Sequence, residues 1–392
     1  MDGPTGTVWH AGAGRGTRRP EMTGALQDLL VRRIALTGPI SIASFMGEAL
    51  GHPQHGYYIT RDPLGVKGDF TTAPEISQMF GEMMGVWLAD CWINQGCPER
   101  VHLVELGPGR GTLMADALRA TVRVPGFHAA IRLHLVETSP TLRQRQAEAL
   151  AAFTPTWHDS LTAVPDGPML LVANEFFDAL PIRQFIRTPA GWAERKVGLN
   201  PAGQLAFTFD PTPGGALLTP LHREVEIPPG AIAETCPAGI AVAAEIGRRL
   251  SAQTGAALII DYGYDGPAIG DTLQALRAHE YVPVLDDPGS ADLTAHVDFT
   301  ALGQAARQAG ARVHPGIGAS VEQGGLLRAL GIDARAAALS ARATPVQQTD
   351  IQAALTRLTS TQSMGRLFRA MAITHPAAPT PAGFAAPTGD CA

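Results

Sequence analysis

Lysine is almost missing from this sequence: Lys67 and Lys196 are the only two, and arginine supplies the rest of the 30 basic residues. Arginine in that excess is a composition bias, and no function is read from it. With a formal net charge of -6 and a pI near 6.1, the chain lacks the positive surplus that a broad phosphate-binding face needs, which argues against a nucleic-acid partner. Cysteine is scarce as well. Cys91, Cys97, Cys236 and Cys391 show no CxxC spacing, so neither a disulfide framework nor a metal cage is expected. His55, His279 and His296 are too scattered to supply ligand spacing, and no metal is expected. No run approaches the roughly 18 apolar residues that span a bilayer, and the N-terminus lacks a secretory pattern. The expectation is a cytoplasmic protein without membrane insertion.

What is present is an ordinary globular balance, 45% hydrophobic and 17% charged over 392 residues. Residues 1–21, rich in Gly, Thr and Arg, read as a disordered arm or an over-extended start before Met22. Residues 22–98 read as helices and a long loop region, with Ser41 capping one of the helices. Apolar runs at Val101 to Leu106, Ile131 to Glu137, Met169 to Ala173 and Ala256 to Asp261 read as parallel strands, with helical stretches between the first of them. The fold class expected is α/β, a doubly wound and mostly parallel sheet. Its first half lies in 99–185 and its second in 256–374, where Asp298 caps a helix and Leu367 to Ile373 closes the sheet. Pro-Gly turns and short alternating runs make 186–255 an insertion. The Pro- and Ala-rich residues 375–392 are expected to be a flexible tail.

The sharpest local signal is Glu105-Leu106-Gly107-Pro108-Gly109-Arg110-Gly111, where a strand runs through glycines into a helix. Such a turn lets backbone approach a ligand without side-chain obstruction. It is GxGxG rather than GxGxxG, no Gly-Lys-Ser/Thr follows, and Pro108 removes an amide that a pyrophosphate would use. A ligand without phosphates fits better, and S-adenosyl-L-methionine is one. Glu105 is expected to neutralise its ammonium, with Gly107, Gly109 and Gly111 forming the turn whose helix N-terminus receives its carboxylate. Glu137, at the end of the second strand, is placed on the ribose hydroxyls, and Asp159 with Ser160, after the third, on the adenine amino group. A single glycine turn is often only a tight loop. Three acids at successive strand ends converge on one sheet edge, and that convergence carries the reading.

The sequence resembles the MidA family of methyltransferases over about Met22 to Ile373. The residues that carry the resemblance are His52 to Tyr58, Gly68-Asp69-Phe70-Thr71-Thr72, Pro74 to Glu82, Glu105 to Thr112, Asn174 to Pro181, Asp261-Tyr262-Gly263 and Asp292 to Phe299. The family includes a mitochondrial complex I assembly factor that methylates an arginine of a complex I subunit. The resemblance implies a class I methyltransferase fold with an inserted region, and a protein-arginine substrate in at least the mitochondrial members. A protein substrate, with a respiratory-chain subunit as the candidate client, is therefore the expected partner.

Asn174-Glu175-Phe176-Phe177-Asp178 follows the fourth apolar run, so it falls at the carboxyl edge beside the cofactor. A guanidinium is planar and always protonated, and its nitrogen attacks poorly until it is oriented and relieved of a proton. Glu175 and Asp178 are the carboxylates expected to grip it and localise its charge. Asn174 is counted among the cofactor contacts, as are Gly68, Thr71 and Thr72 in a lid-like loop. Two other readings stay open, a non-catalytic assembly factor holding its client through the insertion and a small-molecule methyltransferase.

Overall fold

Continuous apolar runs can be strands only if both of their faces are covered, and here they are. The computed structural model describes residues 24–60, 72–218, 226–316 and 320–384. Its main sheet contains β1 (Val101–Leu106), β2 (Ile131–Val136), β3 (Thr156–His158), β4 (Met169–Asn174), β5 (Gly255–Tyr264), β6 (Arg312–His314) and β7 (Phe368–Thr374). They lie in the order β3-β2-β1-β4-β5-β7-β6, with the two-residue strands 297–298 and 321–322 at the margins. The first five pair in parallel, whereas β7 runs antiparallel to β5 and β6 antiparallel to β7. Along β5, Ala256, Leu258 and Ile260 face one core while Ala257 and Ile259 face the other, the period-2 division of a sheet between two helical layers.

One layer contains the helices Gln78–Asn94 and Thr112–Thr121; the other contains Pro237–Ala252 and Phe299–Gln308. Gly81 and Gly85 let the first two helices meet backbone to backbone, since a Cβ at Gly85 would lie 2.5 Å from the Ala117 carbonyl oxygen. Two helix starts follow the written signals: Ser41 accepts from the Ser44 amide and Asp298 from that of Ala301. The helix foreseen from Ile76 is interrupted at Ser77, whose extended backbone and side-chain acceptance from Met79 N restart it at Gln78.

Between β4 and β5 an antiparallel sheet is formed by Arg183–Thr188, Gly191–Leu199, Leu205–Pro213 and Ile232–Thr235, and Ile40–Ser41 joins it. A three-stranded sheet, Gln274–Arg277, Glu280–Val282 and Asp292–Thr294, follows β5. Four helices between β6 and β7, from Gln323–Ala329 to Met364–Leu367, went unread in the sequence, although Thr344-Pro345-Val346-Gln347 writes a capping box. Buried Glu82 ties this group to the core. It accepts from Arg335 at 2.7 and 2.8 Å and from Arg119 at 3.3 Å. Glu82→Gln should lower stability by about 2 kcal/mol, the range for hydrogen bonds to charged groups, checked by urea unfolding. An unchanged midpoint would show that the half-exposed arginines take water instead.

The flexible tail needs correction. Residues 375–384 pack onto the protein: Phe384 is buried in the core, His375 N donates to Gly255 O, and Arg312 donates to Ala378 O. One aromatic anchor outweighs a Pro- and Ala-rich composition. Residues 385–392 and the arm 1–21 lie outside the described residues. Three histidines on neighbouring strands also form a ladder that was not foreseen, His102 to His134 at 2.8 Å and His134 to His158 at 2.9 Å. Among the described residues no helix is long and apolar enough to cross a membrane.

Candidate active site

In a doubly wound sheet, ligands bind beyond the carboxyl ends of the strands where the strand order reverses. Here β1 lies between β2 and β4, and a cavity of about 280 Å³ opens at that point. Glu105, Gly107, Pro108, Gly109 and Arg110 line it from β1 and its turn, Glu137 from the end of β2, and Asn174, Glu175, Phe176 and Asp178 from the end of β4. Tyr58, Thr72, Glu75 and Asp292 line it from other elements.

The glycine turn has left-handed backbone at Gly107 (φ +61°), Gly109 (+53°) and Gly111 (+83°), a region costly to side-chain-bearing residues. Gly107 is also pressed by a neighbour, for its Cβ would meet the Phe176 ring at 2.9 Å. Gln146, fully buried, donates to Gly109 O at 2.7 Å and to Glu137 at 3.3 Å, and is itself held by Trp157 Nε1. It therefore fixes the turn and the β2 carboxylate relative to each other. The other Glu137 oxygen accepts from Ser139 N at 2.7 Å, and burial raises this carboxyl above the usual range. Glu105 is 3% exposed, its Oε2 is buried without a partner among the described residues, and burial pushes its pKa up to about 8.

Around β4 the arrangement is more strained. Glu175 takes φ +51°, its N–H donates to Ile260 O, and its Oε1 accepts from Ala73 N and Asn174 Nδ2 at 3.0 and 3.1 Å. Asp261, fully buried within the second half of β5, accepts from the amides of Phe177, Asp178 and Tyr262 and so clamps the segment that follows β4. What remains is Glu175 Oε2 and Asp178 Oδ1, both buried and without a hydrogen bond of standard geometry among the described residues, although the Tyr262 hydroxyl lies close enough to Asp178 to favour its charged form. Burial pushes Glu175 up to about 8 and Asp178 up to about 6.

The cavity thus brings together Glu105, Gly107, Gly109, Glu137, Asn174, Glu175, Asp178 and Thr72. Gly111 stands behind it as the N-cap of Thr112–Thr121. Asp159 and Ser160, placed on the adenine in the sequence reading, do not line it. The Asp159 side chain is 84% exposed and paired with Arg143 at 2.5 Å, and Ser160 bonds Thr162. The physical reason is that β3 is short and lies at the sheet edge, while Arg143, anchored on Glu137 O, draws Asp159 outward. Gly68 and Thr71 lie outside the described residues. Sequence reasoning gave no role to Gln146, Tyr58, Asp292, Asp261 or Glu75; Glu75 accepts from Thr112 Oγ1 at 2.6 Å. The motif blocks containing Tyr58, Glu75, Asp261 and Asp292 were the available signal.

Residues 83–316 match the family described as "Putative S-adenosyl-L-methionine-dependent methyltransferase". The chain is 38% identical to "Protein arginine methyltransferase NDUFAF7, mitochondrial" of Mus musculus over 90% of its own length and 85% of that protein. It is 36% identical to the Drosophila melanogaster homologue of the same name, over 89% and 85%. Among solved structures, a likely methyl transferase from Burkholderia thailandensis bound to S-adenosyl-homocysteine superposes with a TM-score of 0.76 at 26% identity, covering 92% of this chain and 93% of that one. The cytoplasmic expectation is corrected by these relatives, which are named as mitochondrial proteins. Cysteine spacing without a disulfide pattern does not say which compartment holds a chain.

Proposed function

The chain belongs to the MidA family of S-adenosyl-L-methionine-dependent methyltransferases, and from that premise we propose that it methylates arginine on a partner protein, gripping the acceptor guanidinium with Glu175 and Asp178. One observation carries the proposal: Glu175 and Asp178, each with a buried carboxylate oxygen that accepts no hydrogen bond of standard geometry among the described residues, line a cavity that also holds the cofactor residues. A guanidinium is the side chain whose fork of donors satisfies two such acceptors at once. S-adenosyl-L-methionine, when bound, supplies the electrophilic methyl group.

In this reading Glu105 meets the cofactor ammonium, Glu137 the ribose hydroxyls, and Gly107 and Gly109 give backbone access, with Asn174 and Thr72 alongside. Glu175, pinned through Oε1, orients the acceptor, and Asp178 takes the proton that the guanidinium gives up. The partner class is suggested by the relatives named protein arginine methyltransferases, and a respiratory-chain subunit is our choice of client within it. The test is incubation with methyl-labelled cofactor and a lysate, followed by acid hydrolysis. Label in methylarginine supports the reading; label confined to another residue or to small molecules overturns it.

Glu105 also gives a pH dependence. With its pKa near 8 in the empty cavity, it is largely neutral at pH 7 and must lose a proton to hold a cation. Affinity for S-adenosylhomocysteine should therefore rise with pH and level off above about 8. Up to a tenfold gain per pH unit is expected from this one proton, and the gain should be absent in Glu105→Gln. Calorimetry across pH 6 to 9 measures it, and equal slopes in the two proteins would remove the ammonium role.

A further inference from the structure

Beside the clamped β4 segment, the cavity has a second polar group contributed by distant parts of the chain. Tyr58, on the short helix Tyr57–Thr60, donates its phenol hydrogen to Asp292 Oδ1 at 2.8 Å, across 234 positions of sequence. Asp292 is 7% exposed, and both residues line the cavity. A phenol oxygen that donates to a carboxylate keeps its lone pairs, and it can accept an N–H from whatever enters. The two groups feel the acceptor-side carboxylates: burial and then the charge of Asp292, followed by that of Asp178, hold the Tyr58 hydroxyl well above its ordinary range. Asp292 in turn is among the charges that raise Glu175.

Tyr58 is also attached to the cofactor side. Its backbone carbonyl accepts from Ser139 Oγ at 2.7 Å, Ser139 is fully buried, and Ser139 N donates to Glu137 Oε1 at 2.7 Å. Three consecutive hydrogen bonds thus run from the carboxylate assigned to the ribose to the carboxylate of Asp292. A ligand that fixes Glu137 fixes Ser139, and through it the backbone that presents the Tyr58 ring.

We propose that Tyr58, held by Asp292, is a further acceptor-binding residue for the arginine side chain, and that its tether through Ser139 to Glu137 makes acceptor binding depend on a filled cofactor site. The proposal rests on the arginine reading above. It couples the two ligands, each raising the affinity of the other, because the Glu137–Ser139–Tyr58 tether joins the two ends of the cavity.

The test is calorimetric titration of a short arginine peptide, acetyl-Gly-Arg-Gly amide, into the full chain with and without saturating S-adenosylhomocysteine. The wild type should bind the peptide about tenfold more tightly when S-adenosylhomocysteine is present, and by linkage the peptide should raise S-adenosylhomocysteine affinity by the same factor. Tyr58→Phe, which keeps the ring and the backbone carbonyl, should weaken the peptide about tenfold in the filled state and change S-adenosylhomocysteine affinity by less than twofold. A merely structural tyrosine would move both affinities or neither. Ser139→Ala should bring the coupling factor close to one. Peptide affinity unchanged in Tyr58→Phe overturns the binding role, and undiminished coupling in Ser139→Ala overturns the tether. A wild type that binds S-adenosylhomocysteine but no arginine peptide fails the arginine reading itself and takes this proposal with it.

Discussion

Glu175→Gln should abolish most methyl transfer, by about a hundredfold or more, while leaving S-adenosylhomocysteine binding within a few-fold of the wild type. The amide oxygen can replace Oε1, where Ala73 N and Asn174 Nδ2 donate. The amide nitrogen must then occupy the place of Oε2, the buried oxygen that has no hydrogen-bond partner among the described residues. A donor there opposes the donors of a guanidinium, so the acceptor loses both its charge partner and its alignment. The same substitution should make the protein more stable. Glu175 has its carboxyl raised from an ordinary 4.5 to about 8, chiefly by burial. Relative to an uncharged glutamine, the stability of the wild type is full below about 4.5 and is lost as pH rises through 8. At pH 7 to 8 the variant should therefore gain on the order of 1–3 kcal/mol, and the gain should vanish towards pH 4.5. Melting scans across that window and a single-turnover assay check the two halves. A variant that is less stable at pH 8, or as active as the wild type, would remove Glu175 from the acceptor site. The opposed signs are what a function-bearing buried charge produces.

Gly107→Ala should have the second large effect, and it acts on the cofactor. The residue sits at φ +61°, where alanine costs about 1–2 kcal/mol, and the new methyl would press on the Phe176 ring at 2.9 Å. Phe176 lines the same cavity, so relief by moving the ring distorts the β4 segment, and relief by moving the backbone displaces the turn. S-adenosylhomocysteine binding should fall at least tenfold, a change worth 1.4 kcal/mol, and melting temperature should drop with it. A variant with wild-type affinity would show that the turn is not the cofactor cradle. Glu175→Gln and Gly107→Ala separate the two halves of the cavity: the first should bind without transferring, and the second should fail at binding.

The α/β class was legible because its signals are local. Met169 to Ala173 is apolar without interruption, as a strand covered on both faces is, and the runs before it alternate with helical stretches. Glu105, Glu137 and Asn174 were legible for a related reason: a doubly wound sheet places the carboxyl ends of its parallel strands on one edge, so finding the strand end finds the residue. Asp159 shows where that logic stops. It also follows a strand, but whether an edge-strand acid turns inward depends on Arg143, sixteen residues away, and no local rule encodes that pairing.

By itself the sequence determined which residues end the strands, where the chain turns on glycine, and that the turn suits a ligand without phosphates. Each of those follows from backbone sterics and hydrogen-bonding capacity within a few consecutive residues. Only the tertiary structure decided which acids stay unpartnered in the cavity, that Gln146 locks the turn to Glu137, that Asp261 clamps the Glu175 segment, and that Tyr58 reaches Asp292. Those outcomes depend on burial and on partners tens to hundreds of positions apart. A carboxylate's charge state and direction are set by the water it loses and the donors it meets, and both are properties of the folded neighbourhood.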